Sequence, residues 1–96
     1  MRIVWLDSAV NDLCRLRDFI GENNPKAANR AAEKLVAATK TLATEPLLGK
    51  PVEELPDYRD LFIRFGAGGY ILRYRIYDNI LYIVHMRHFR EADFIV

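Results

Sequence analysis

The chain has 96 residues, 51% of them hydrophobic, and carries 14 Lys and Arg against 13 Asp and Glu, a net charge of +1. That is one domain, residues 1–96, with a single modest core, and the apolar share excludes a disordered chain. The near-neutral balance argues against a strong non-specific nucleic-acid binder, while leaving room for a local basic patch.

In chain order, Arg2–Leu6 is short and β-prone, with Val4 and Trp5, and reads as a strand. Asp7 or Ser8 then offers a helix N-cap. Val10, Leu13, Leu16, Arg17 and Ile20, with Ala9 and Phe19 beside them, recur at helical spacing. Asn11, Asp12, Arg15, Asp18 and Glu22 cover the opposite side as a solvated face. Gly21 to Asn24 ends this helix. Asn24-Pro25 starts the next, because Asn caps and Pro at the first helical position loses no needed N–H. This second helix runs to about Thr44, with Ala28, Ala31, Ala32, Leu35, Val36, Thr39 and Leu42 as its buried stripe. The short link predicts an antiparallel helical hairpin. Glu45–Asp57, with Pro46, Gly49, Pro51 and Pro56, is expected to be an irregular connector.

Three β-type runs follow: Tyr58–Phe65, Tyr70–Tyr77 and Ile80–Arg87. Gly66–Gly69 joins the first two, and Asp78-Asn79 is a two-residue hairpin link. Along the middle run Tyr70, Leu72, Tyr74 and Ile76 alternate with Ile71, Arg73, Arg75 and Tyr77, so one face is apolar and the other carries arginines. Helices then cover the first face only, and the second is expected to stay open. If the registers agree, Arg64, Arg73, Arg75, His85 and Arg87 share that open surface. The apolar end, Phe94-Ile95-Val96, must fold back or dock on a partner. The sum is an α+β fold of order β-α-α-β-β-β, an antiparallel sheet with a helical hairpin on one face.

The single cysteine, Cys14, allows no internal disulfide and suits a reducing cytoplasm; among Leu13 and Leu16 it reads as a small apolar helix residue. Charges interrupt every candidate signal segment, and no run is long enough to span a membrane. There is no repeat, CxxC pair, HExxH or phosphate-binding glycine loop, so no metal or cofactor is expected.

Several local patterns occur together: Trp5 with Ala9, Asp12 and Leu13; Asn24-Pro25 with Ala27-Ala28; Pro46, Gly49 and Pro51; Tyr58-Arg59 with Leu61; Tyr70 with Tyr74-Arg75; and Arg87-His88-Phe89-Arg90-Glu91. In this order they resemble the ParE/RelE superfamily of bacterial toxins, the toxic partners of type II toxin–antitoxin modules, over nearly the full chain. The last piece is most similar to the ParE and plasmid-stabilisation branch. The resemblance implies a cytoplasmic protein that forms a hetero-oligomer with an antitoxin. It also implies one of two activities: RelE-type members cleave mRNA in the ribosomal A site, and ParE-type members block DNA gyrase without being enzymes.

Metal-free RNA cleavage must activate a 2′-hydroxyl, offset phosphate charge and protonate the leaving oxygen. The lysines and arginine with which RelE-type members do this fall here at Phe62, Arg64 and Ile71, a later arginine matches Arg90, and no tyrosine follows Tyr82. Other ribonuclease members use Glu, Arg and His, which His85 or His88 with Arg64 or Arg90 imitates. The resemblance therefore implies a gyrase inhibitor with no catalytic set. Arg64, Arg73, Arg75, His85, Arg87, His88 and Arg90 are its candidate residues for binding antitoxin or target. Acidic antitoxin side chains are expected to meet Arg64, Arg73 and Arg87. The alternatives are a ribosome-dependent mRNA endoribonuclease using Arg64, His88 and Arg90, and a non-toxic binding module of the same fold.

Overall fold

The structure is a computed structural model and describes residues 1–94. It holds β1 (Arg2–Trp5), α1 (Asp7–Gly21), α2 (Pro25–Thr44), β2 (Lys50–Val52), β3 (Leu55–Phe65), β4 (Gly68–Tyr77) and β5 (Ile80–His88). The strands form one sheet in the order β1-β5-β4-β3-β2. β1 pairs in parallel with β5, and all other pairs are antiparallel. The predicted β-α-α-β-β-β order holds, with one short strand added.

That strand corrects the reading of residues 45–57. β2 pairs with β3, Lys50 opposite Asp60 and Pro51 opposite Arg59, with a register shift between Pro51 and Val52. Proline is tolerated because β2 is the sheet edge, where no ladder bond is lost outward. Glu54 supplies the turn with φ of 65°. β3 accordingly starts at Leu55 rather than Tyr58. The glycine turn also shrinks to Gly66 and Ala67, Gly66 at φ +59°, while Gly68 and Gly69 belong to β4. Asp78 and Asn79 both hold positive φ, 51° and 63°, the type I′ pattern that matches strand twist.

α2 starts as expected: the Asn24 side chain accepts from the Ala27 N–H at 3.1 Å, with Pro25 first in the helix. α1 does not. Its cap position is Leu6, without a side-chain bond. Ser8 instead donates its hydroxyl to the Val84 carbonyl at 2.6 Å, because the sheet edge beside it needs a donor more than the helix end needs an acceptor. The helices lie on the apolar sheet face, α1 against β5 and α2 against β1 and β3. Ala9, Leu16, Ala31, Leu35 and Leu42 meet Tyr70, Leu72, Tyr74, Leu81, Ile83 and Met86 in the core. Val10, Arg17 and Val36, read as stripe positions, are exposed. Among the described residues no helix is long and apolar enough to cross a membrane.

Tyr74, fully buried, ties the connector to the core. Its hydroxyl donates to the Pro46 carbonyl at 2.7 Å and accepts the Gly49 N–H at 2.8 Å. Only glycine fits there, since a Cβ would stand 2.8 Å from the Tyr74 ring and 3.0 Å from the Asp60 carbonyl.

Candidate functional site

The pairing places Tyr58 opposite Arg75, Asp60 opposite Arg73, Phe62 opposite Ile71 and Arg64 opposite Gly69. On the other side of β4, Arg87 stands opposite Ile71 and His85 opposite Arg73. A bulge between Arg73 and Tyr74 then absorbs one residue, so Tyr82 faces Arg75. Arg64, Arg73, Arg75, His85 and Arg87 therefore share the sheet face away from the helices.

That face is not open. Arg73 is 5% exposed and forms a bidentate pair with Asp60, Nε to Oδ1 at 2.8 Å and Nη2 to Oδ2 at 3.0 Å. This bonding holds the guanidinium pKa above its ordinary value, against the opposing effect of burial. Phe94 covers the centre of the face: its ring stacks on His85, and Arg73 and Arg87 both reach it. The Phe94 part of the apolar end thus folds back; Ile95 and Val96 lie outside the described residues.

Arg75 lies over the Tyr77 ring at 4.7 Å and the Tyr58 ring at 5.6 Å, with Asp57 at 3.4 Å. Arg64 is exposed, with no hydrogen bond or ion pair among the described residues. Phe62 beside it is 52% exposed and meets Phe89 edge to face at 6.2 Å.

His85 is held from α1. The Asp12 carboxylate accepts from His85 Nδ1 at 2.8 Å and from the Met86 backbone N–H at 2.9 Å. β1 stops at Trp5, so β5 beyond Ile83 has no strand along its outer edge. Ser8 on Val84, Asp12 on Met86 and Arg15 on the Met86 carbonyl at 3.4 Å stand in for one. Asp12 was read as part of a solvated helix face. The signal in the sequence was a strand of four or five residues beside one of eight, which leaves a bare edge.

His88 and Arg90 lie elsewhere. His88 pairs with Tyr70 across the sheet and shares its face, on the helix side, with ring centroids 5.6 Å apart. Arg15, Leu16, Phe19, Ile20, Tyr70, His88, Arg90 and Glu91 line a groove there of about 570 Å³. His88 Nδ1 accepts the Arg90 N–H at 3.2 Å, so the neutral ring carries its proton on Nε2. The Tyr70 hydroxyl is pushed up from its ordinary pKa by burial first and by Glu91 second. The trio Arg64, His88 and Arg90 is therefore split, with the sheet between Arg64 and the other two. Phe19 was read as a neighbour of the buried stripe, yet it is 69% exposed at the groove.

A family model described as the ParE toxin of the type II toxin–antitoxin system, parDE, matches residues 3–92. Among curated proteins, toxin RelE3 of Caulobacter vibrioides is 35% identical over 83 residues, 86% of this chain and 88% of its own. Toxin RelE2 of the same organism is 34% identical over 87 residues, 91% and 93% of the two chains. Among solved structures, a chain of the chromosomal ParDE system from P. aeruginosa superposes with a TM-score of 0.78 at 22% identity, over 92% of this chain and 95% of its own. A chain of the RelBE2 toxin–antitoxin complex from Mycobacterium tuberculosis gives 0.57 at 28% identity, over 91% and 95%.

Proposed function

Because the chain belongs to the ParE toxin family of type II toxin–antitoxin systems, we propose that it is a cytoplasmic, non-enzymatic inhibitor of DNA gyrase, kept inactive by a cognate antitoxin. The observation that carries this reading is the separation of the candidate catalysts. Proton transfer at a phosphate needs a base, an acid and a cation converging on one group within hydrogen-bond reach. Here Arg64 lies across the sheet from His88 and Arg90. The imidazole that does share the face of Arg64 is tied to Asp12 beneath Phe94. Arg73, central on that face, is neutralised by Asp60. What faces outward is Phe62, Arg64, Arg75 and Tyr77, an aromatic and arginine composition typical of surfaces that bind protein.

The test is supercoiling of relaxed plasmid by gyrase in the presence of the purified chain. Inhibition with accumulation of cleaved DNA, relieved by the antitoxin, is the expected result. Full gyrase activity at stoichiometric excess of folded protein would falsify it.

One observation favours ribosome-dependent mRNA cleavage as a second reading: the curated relatives bear RelE names. It predicts cut mRNA in a translating extract, lost on substitution of Arg64, His88 or Arg90.

A further inference from the structure

Three side chains of the arginine face, Arg73, His85 and Arg87, already have an occupant, and it is the chain's own tail. Beyond β5 the Arg87 guanidinium gathers the segment that follows. Its Nη1 donates to the carbonyls of Glu91 at 2.7 Å, Phe89 at 3.3 Å and His88 at 3.4 Å, and its Nη2 stands 3.6 Å from the Asp93 carboxylate. This turn lays Phe94 on the sheet. Its ring stacks on the His85 imidazole, 5.7 Å between centroids and 20° between planes. The guanidinium carbons of Arg73 and Arg87 lie 4.7 Å and 5.1 Å from the ring centre. A flat ring is thus gripped by two cations and an imidazole, with a carboxylate one residue before it. The core lies on the other face of the sheet and does not use this contact. The grip is also incomplete: Arg87 Nε is buried without an acceptor among the described residues, and the Asp93 side chain is 79% exposed.

We infer that Arg73, His85 and Arg87 form a seat for an acidic–aromatic segment of the antitoxin, and that Asp93 and Phe94 fill this seat in cis. The inference rests on the reading of the chain as a toxin with an antitoxin partner. The chemistry specifies the ligand. A planar ring is needed to stack on His85 between the guanidinium groups; an aliphatic side chain forfeits that attraction, and a basic one is repelled. A carboxylate directly before the ring reaches Arg87. The tail is one short stretch of a single chain that follows a turn, so its replacement is a short stretch too, which a flexible antitoxin segment supplies and a folded enzyme surface does not. Occupation in cis weakens binding in trans by the fraction of molecules whose seat is filled.

The test uses the full chain carrying Phe94→Ala, checked for folding by its amide spectrum. The probe is the acetylated, amidated tetrapeptide Glu-Ala-Asp-Phe, the sequence of residues 91–94, titrated while the His85 ring signals are followed by NMR. The expected result is saturable binding to the F94A chain, about tenfold weaker binding to the wild-type chain whose seat is filled, and loss of binding when the peptide's Phe becomes Leu. No saturable shift at His85 overturns the seat. In a second arm, calorimetry with the cognate antitoxin is expected to show about tenfold tighter binding to F94A than to wild type. If the peptide binds but antitoxin affinity is unchanged or weaker, the antitoxin is the wrong occupant. If the antitoxin binds neither chain, the toxin reading falls and takes the named occupant with it, while the peptide titration still decides the seat.

Discussion

The arginine face and the helix-side groove lie on opposite sides of the same sheet, and they treat their side chains in opposite ways. On the face, the two buried guanidinium groups have internal partners, Asp60 for Arg73 and backbone carbonyls for Arg87, and the half-buried His85 ring has Asp12. In the groove, one large apolar side chain stands uncovered, Phe19 at 69% exposed. A buried guanidinium without a partner is too costly to leave in place, whereas an exposed ring costs little. The face is therefore part of what holds the fold together. Leu16 and Tyr70 form the core floor of the groove, whereas Phe19 at its rim can change with little consequence for the fold.

The largest effect that sharpens this contrast is expected from Asp60→Ala. It strands the Arg73 guanidinium, whose side chain is 6% exposed, and should cost about 3 kcal/mol in urea unfolding. Pairing it with Arg73→Met should restore most of the loss; no recovery would mean that Asp60 acts through something other than Arg73. Next comes Asp12→Ala, which leaves the Met86 N–H and His85 without their acceptor. A loss of about 2 kcal/mol is expected, with faster hydrogen exchange at Met86. Alkaline pH gives a gentler effect. Burial raises the Tyr70 and Tyr74 pKa values above the ordinary 10.0, so the folded chain keeps protons that the unfolded chain releases first. Stability should be level in this respect below pH ~10 and fall as pH rises from there through the raised values; Tyr74→Phe should blunt the fall. The smallest effect belongs to the groove: Phe19→Ser should leave stability within about 0.5 kcal/mol. A loss above that would make Phe19 part of the fold after all.

The order of elements was legible because period and punctuation agreed over long stretches. Asn24-Pro25 capped α2 and Asp78-Asn79 closed a hairpin, each for a local reason that tertiary contacts did not override. Lys50–Val52 was hidden because a strand containing Pro51 is stable only at an edge, and edges are decided by topology rather than by local pattern. Alternation put the right residues on the arginine face, but it could not show that the face was covered. Asp60 lies thirteen residues from Arg73, and Phe94 arrives from beyond the last strand. The split between Arg64 and His88 was in principle readable, since His88 follows Arg87 and adjacent strand residues point to opposite faces.

The side chains of α1 that stand beside β5 carry a consequence for handling the protein. Ser8, Asp12 and Arg15 occupy backbone groups from Val84 to Met86 that otherwise belong to a bare strand edge. If the first turns of α1 fray, that strand becomes a template for a neighbouring molecule, and Ile80–Val84 next to it is rich in β-branched and aromatic residues. Concentrated stocks should then fail by fibrous precipitation rather than by chemical damage, and conditions that favour helices should lengthen shelf life more than reducing agents do.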